Sequence, residues 1–278
     1  MCSTVSDFLN CSPTARATMR LDLGGGRVVT IWENEKDRVL YDAPTDHAFS
    51  LYLKGGAGTR RLDTGGSGGW PGSVCVMPAG HRSDWEITTP FRFVHFDLPD
   101  NTLRAAYVRT FDVDARQLDL REITQEEKPA LAGPLAQMAR AAETGDILLA
   151  ESAAADLVGC LHHRTIPLKG GLTSRQLRRT DEWIAANLGC SIRLADLAAE
   201  AGLSEFHFHR MFGLSRGTSP HKWVTMRRVE AAKAKLHGDE RIADIATACG
   251  FACQSHMTRA FKAETGTTPA RYRAALRH

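Results

Sequence analysis

The sequence predicts an α+β fold in two domains: a β-barrel or sandwich with flanking helices, then an all-α domain. Three observations predict it. Short β-branched and aromatic runs punctuated by Gly and Pro fill residues 48–98. From about Thr124 the chain turns Ala- and Leu-rich. The last third contains one helical unit twice.

Length and composition set the frame. At 278 residues the chain has room for two ordinary domains and is too long for one small module. Its 43% hydrophobic and 24% charged content is that of a soluble globular protein and excludes a wholly disordered or collagen-like chain. No stretch approaches the roughly 18 consecutive apolar residues of a membrane helix. The start, MCSTVSDFLNCSPTARATMR, lacks the basic segment and apolar run of a secretory leader. A cytoplasmic protein with no membrane partner is expected. The seven cysteines are odd in number and scattered, which is no disulfide framework, so reduced thiols are expected.

The formal net charge of +3 hides an asymmetry. From Gly171 to His278 there are 17 Lys/Arg and 10 Asp/Glu, against 18 and 22 in the 170 residues before. A basic C-terminal third on an acidic body points to nucleic acid at that end, although solvated helices also carry such an excess.

Along the chain, Val28–Trp32 after Gly24-Gly25-Gly26 predicts a strand. Phe49–Lys54, Arg60–Leu62, Ser73–Met77, Trp85–Thr89 and Phe91–Asp97 predict five more, separated by Gly and Pro turns. Two helices are predicted near 125–143 and 147–163. The second has a broad apolar face suited to packing on the barrel or to a dimer seam. Residues 165–173, with Pro167 and Gly170-Gly171, are the predicted linker between residues 1–164 and 174–278. Everything beyond reads as helices.

The repeated unit is the strongest signal. LADLAAEAGLSEFHFHRMFGLSRGTSPHKW (194–223) aligns with IADIATACGFACQSHMTRAFKAETGTTPARY (242–272). Ala195, Asp196, Ala198 and Gly202 match Ala243, Asp244, Ala246 and Gly250. After one inserted residue, Arg210, Phe212, Gly217, Thr218 and Pro220 match Arg259, Phe261, Gly266, Thr267 and Pro269. In each copy a short helix meets a glycine able to take the left-handed conformation, and a second helix follows. That is a helix-turn-helix, predicted at 194–216 and again at 242–265. Helical spacing turns Phe208, Met211 and Phe212 inward and leaves Phe206, His209 and Arg210 outside. In the second copy Met257, Ala260 and Phe261 face in, while Gln254, Ser255, Thr258, Arg259 and Lys262 face out. Gly217 and Gly266 stop these helices; Ser219 and Thr268 can cap the next, with Pro220 and Pro269 in its first turn. The pattern from Ser219 to Leu236 would make a helix about 27 Å long, near the 34 Å or so between major-groove faces on one side of B-DNA.

The motifs Leu197-Ala198, Gly202-Leu203-Ser204, His207–Phe212, Gly217–Trp223 and Arg227–Lys233 carry a family resemblance. So do Ile242–Ala246, Cys249-Gly250-Phe251, Gln254-Ser255-His256, Thr258–Lys262 and Gly266–Pro269. Over about residues 172–276 the chain resembles the AraC/XylS family of transcription regulators. Met257 stands where the family usually has an aromatic, and Ala252 and Cys253 replace its common acidic or small residues. The resemblance implies a sequence-specific module whose two recognition helices enter successive major grooves of double-stranded DNA. By position, Phe206, His209 and Arg210 would read from the first helix, and Gln254, Ser255, His256 and Arg259 from the second. Arg can bond guanine O6 and N7 in two-pronged fashion, and Gln can do so to adenine N6 and N7. Phe206 can only stack or meet a thymine methyl. Arg210 and Arg259 could equally serve a phosphate or an intramolecular salt bridge, and His209 and His256 could be plain surface histidines.

The resemblance further implies an N-terminal cupin-like β-barrel that binds an effector and dimerises. Gly72–His81 resembles the glycine-to-Pro-x-Gly segment of cupins. No His-x-His with a following Glu precedes it, and His47, His81 and His95 do not form an obvious three- or four-ligand metal set. The expectation is a metal-free, cofactor-free pocket for a small organic effector, with Tyr52, Arg61, His81 and Trp85 as candidate lining. A homodimer is implied, with RNA polymerase as a partner if the protein is an activator. Two alternatives stay open: a cupin-type metal-dependent enzyme with a helical appendage, and a regulator whose N-terminal domain only dimerises.

Other chemistry is thin, and no enzyme is expected. Cys249 and Cys253 fall at a helix-turn-helix turn, where Cys249 reads as core. The Gly24–Gly26 and Gly65–Gly69 runs lack the Lys-Ser/Thr of a phosphate loop. No Ser/His/Asp or Cys/His catalytic signature is present. His162 and His163 are expected to complement the dipole at a helix end.

Overall fold

The first tight turn follows from three glycines. Gly24, Gly25 and Gly26 have φ of 75°, 62° and 79°, a region that L side chains resist. Gly24 pairs with Arg27, so Gly25 and Gly26 are the two-residue loop of a hairpin. Its arms are β1 (Arg16–Gly24) and β2 (Arg27–Asn34). A computed structural model describes residues 4–66, 68–161 and 170–276. His162, His163 and linker residues 165–169 lie outside the described residues. Contacts divide the chain into two units: Met1–Leu103 with Asp119–His162, and Arg104–Leu118 with His163–His278.

In the first unit, α1 (Val5–Asn10) precedes the hairpin, and β3 (Asp37–Tyr41), β4 (Asp46–Gly55), β5 (Thr59–Arg61), β6 (Ser73–Met77), β7 (Ser83–Ile87) and β8 (Phe91–Pro99) follow it. Then come α2 (Asp100–Phe111), which ends in the second unit, β9 (Ile123–Glu127), α3 (Pro129–Thr144) and α4 (Ile147–Gly159). The strands form a six-stranded antiparallel sheet in the order β1-β2-β8-β4-β6-β9 and a three-stranded sheet β3-β7-β5. One face of the large sheet, with Trp32, Tyr52, Cys75, Met77 and Phe93, shares a core with Val39, Tyr41, Trp85 and Ile87 of the small one. The opposite face, with Val29, Ile31, Phe49, Val94 and Phe96, is buried as well, and α3 packs on β1, β2, β4 and β8. Burial on both faces is why the positions of β8 around Arg92, His95 and Asp97 are apolar.

Two expectations are corrected. The strands do not close into a barrel: no ladder joins β1 or β9 to β3 or β5, and β5 has three residues. Closure needs every edge strand paired. The helix expected from 125 begins only at Pro129, and residues 123–127 instead pair with β6 through Ser73–Glu127 and Val74–Glu126. Proline explains the boundary: it suits the first helical turn and biases the residue before it toward extended backbone.

In the second unit α5 (Ser174–Asn187), α6 (Leu194–Ala201), α7 (Glu205–Arg216), α8 (Pro220–Leu236), α9 (Ile242–Ala248), α10 (Gln254–Thr265) and α11 (Pro269–Leu276) follow in order. Leu177, Ile184, Leu197, Phe208, Phe212 and Trp223 centre the core, and Ala105, Val108 and Ala115 pack into it. Thr173 caps α5 through a capping box with Gln176. Residues 170–173, which the sequence assigns to a linker, are held in place: Arg116 Nη2 donates to Gly170 O at 2.8 Å, and Leu172 N to Ser215 Oγ at 2.9 Å.

Candidate nucleic-acid interface

Each helical pair is set by local backbone chemistry. Gly202 ends α6 at φ 68°, and Ser204 caps α7 by accepting from His207 N. Phe208, Met211 and Phe212 are buried, which aims Phe206, His209 and Arg210 at solvent. Phe206 is 80% exposed, far more than any other large apolar side chain described. Gly250 at φ 79° turns the chain between α9 and α10. Here Cys253 occupies the cap position and provides no side-chain hydrogen bond, the structural consequence of having no Ser, Thr or Asp there. Met257 and Phe261 are buried; Gln254, Ser255 and Arg259 are exposed.

His256 differs from its neighbours. It is half-buried, its ring edge-on to Phe251 with centroids 5.3 Å apart. With His209 it lines an open groove of about 630 Å3 that also includes Arg193, His221 and Arg228. None of these last three was a candidate site residue in the sequence, although His221 and Arg228 fall within its family motifs. Arg228 braces the groove, since its guanidinium donates to the carbonyls of Leu188 (3.1 Å) and Cys190 (2.7 Å). Burial holds its pKa below the usual value.

Arg210 and Arg259 form no ion pair with any described residue, so the salt-bridge alternative is not realised. Other charges in this unit are committed. Arg216 is 1% exposed, pairs with Asp181, and lies 5.0 Å over the Trp223 ring. Lys222 on α8 pairs with Glu264 on α10. Helix α8 has 17 residues and packs against α7, α9, α10 and α11. At 1.5 Å per residue it is about 26 Å long.

The four candidate effector residues fall in different places. Tyr52 and Trp85 line a half-open space of about 30 Å3 with Tyr41, Phe93 and His95, room for a few water molecules. Burial pushes the Tyr52 phenol up, and its oxygen accepts from Thr59 and Gln125. Arg61 does not reach that cavity. Its guanidinium is spent on Asp63 (2.9 and 3.0 Å), Glu122 (2.6 Å) and Thr124 (3.0 Å). His81 is exposed in the turn after β6. His47 is also engaged: Nε2 meets Asp100 Oδ1 at 3.0 Å and Nδ1 accepts from Ala79 N. Among the described residues no three His, Cys, Asp or Glu side chains are placed to share a metal ion, and no helix is long and apolar enough to cross a membrane.

Two helix-turn-helix units braced on one helix define a tandem helix-turn-helix protein. Comparison with known proteins agrees. The profile described as "Helix-turn-helix domain" matches residues 197–275. The probable transcription factor PqrA of Proteus vulgaris is 39% identical over 83 residues, 30% of this chain and 68% of that protein. The uncharacterized HTH-type transcriptional regulator YbfP of Bacillus subtilis is 35% identical over 104 residues, 37% of this chain and 35% of its own. The crystal structure of the DNA-binding domain of AdpA, a global transcriptional factor, in complex with a target DNA is 31% identical. It covers 37% of this chain and 93% of that one, with a TM-score of 0.36. The chain belongs to the AraC/XylS family of transcription regulators. It spans 35% and 54% of the length of two of the curated relatives it matches.

Proposed function

We propose that this protein is a sequence-specific DNA-binding transcriptional regulator. One observation carries the reading: the exposed faces of α7 and α10 each present an arginine with no ion pair to any described residue, Arg210 and Arg259, on helices whose opposite faces are core. An unpaired guanidinium on a helix of groove-compatible width is suited to guanine or phosphate. Phe206, His209, Gln254, Ser255 and His256 complete the two reading faces. Of these His256 has the least freedom, being held against Phe251. PqrA and ExsA of Pseudomonas aeruginosa, named as transcription factor and transcriptional regulator, support the reading.

The proposal extends to the whole chain. Residues 1–164 act as an effector-binding and dimerising domain, 165–173 join it to the reader, and 174–278 read DNA as part of a cytoplasmic homodimer. An effector would act by binding two arrangements of the protein with different affinity. As an activator, the protein would contact RNA polymerase. Selection of bound sequences from a random DNA pool by the purified full chain tests the reading. A motif with two conserved blocks about one helical turn apart is expected; enrichment of no motif would overturn it.

A further inference from the structure

At the edge of the N-terminal unit, a pocket of about 370 Å3 opens between α1 and strands β1, β2, β4 and β8. Its wall carries three carboxylates, Asp7, Asp46 and Asp97, and one guanidinium, Arg20. Asp97 stands opposite Val28 on β2 and Ala48 on β4, and is only 4% exposed. Its Oδ2 accepts from the Ser6 hydroxyl of α1. Its Oδ1 has no partner. Trp32, on the same wall and 1% exposed, has an indole N–H that also lacks a partner.

A buried carboxylate with one oxygen unpaired costs stability, and so does a buried N–H without an acceptor. The two residues that carry these orphaned atoms, Asp97 and Trp32, line one pocket, beside two further carboxylates. A single ligand with a cationic donor and a neighbouring acceptor or π-bonded contact would satisfy them together. The carboxylates do not converge as metal ligands, since no three such groups among the described residues are placed to share an ion. The wall suits the directed N–H groups of an organic cation better than a point charge.

We propose that this pocket binds a small organic cation, an ammonium, amidinium or guanidinium compound, with its N–H groups on the Asp97 carboxylate. This names the ligand class for the effector domain proposed above and rests on that reading for its regulatory consequence. Asp7 from α1, Arg20 from β1 and Asp46 from β4 are the charged groups that face Asp97. Burial pushes the Asp97 carboxyl up to about 6, so it is ionised at pH 7.5 and protonated at pH 5.

Calorimetric titration of the full chain with putrescine, agmatine and benzamidine tests this, with 1,4-butanediol and calcium chloride as controls. Saturable binding of at least one cation at pH 7.5 is expected, weakened up to about tenfold at pH 5, with neither control bound. Asp97→Asn is expected to lose at least tenfold in affinity while melting at the same or a higher temperature. A merely structural carboxylate would lower that temperature. If Asp97→Asn fails to fold, Asp46→Asn supplies the second variant, with affinity reduced at least threefold. No saturable cation binding, binding of calcium alone, or affinity unchanged in the folded variant would overturn the proposal. Specific DNA binding without cation binding would sink this inference and leave the regulator standing. Cation binding without specific DNA binding would do the reverse.

Discussion

Gly250 lies so close to Leu188 that a Cβ added to it would fall 2.0 Å from the Leu188 carbonyl oxygen and 2.9 Å from the Arg228 guanidinium. Its counterpart in the first repeat, Gly202, has nothing within 4 Å of the same point. Both have left-handed backbones, φ 79° and 68°. The two copies therefore use one residue type for different reasons: Gly202 for backbone conformation alone, Gly250 for conformation and close approach.

The two glycines should respond differently to the same change. Gly202→Ala is expected to cost about 1–2 kcal/mol, the left-handed penalty. Gly250→Ala adds overpacking of about 1–3 kcal/mol against backbone that has little room to retreat. Gly250→Val should be worse still, because a β-branched residue tolerates positive φ badly. Urea denaturation of both alanine variants checks this, and equal losses would contradict it.

Asp181 holds two buried partners, Arg216 and the indole N–H of Trp223 at 3.0 Å. Asp181→Ala leaves the Arg216 charge in the core, with Asp112 at 3.8 Å as its remaining carboxylate. Breaking one side of such a pair typically costs about 3–5 kcal/mol. Asp181→Asn keeps an acceptor for Trp223 and is expected to lose less. Thermal melts of the two variants give the comparison.

The Asp97 carboxyl, pushed up by burial to about 6, makes stability pH-dependent. An unfolded aspartate titrates near 3.9. Between these values the folded chain holds a proton that the unfolded chain releases, so this group's contribution falls as pH rises through that window. Two pKa units correspond to roughly 3 kcal/mol. Asp97→Asn should remove the decline, so the variant's advantage over the parent should grow from pH 4 to pH 7. Melts across that range check it; parallel profiles would rule the assignment out.

Arg259→Ala separates base from phosphate contact. If Arg259 reads a base, the loss is about 1–3 kcal/mol and preference relaxes at one position of the site. A uniform loss over all site variants, with a shallower salt dependence, would make it a phosphate contact. Binding to a panel of single-base site variants decides between them.

The helical unit was legible because its boundaries are local. Gly202, Ser204, Ser219 and Pro220 cap or end helices by their own backbone chemistry, and core spacing then fixes which faces remain outside. Strands β4, β6 and β8 were readable from their punctuation for the same reason. What escaped depends on distant partners. Strand β1 is mostly exposed, so its burial pattern is weak. Helix α2 is only weakly amphipathic, and Ala105 and Val108 find their core more than 60 residues further on, at Leu172 and beyond. Asp97 did leave a signal: with His95, it interrupts the apolar run of β8. Its significance appears only once Ser6 and Trp32 are placed beside it.

The central claim is specific recognition by α7 and α10. Footprinting the purified protein on DNA upstream of its own gene and its neighbours, at two salt concentrations, tests it most directly. The account predicts protection of two adjacent helical turns per monomer that persists at the higher salt. Protection that vanishes uniformly as salt rises would mean electrostatic attachment alone, and would contradict it.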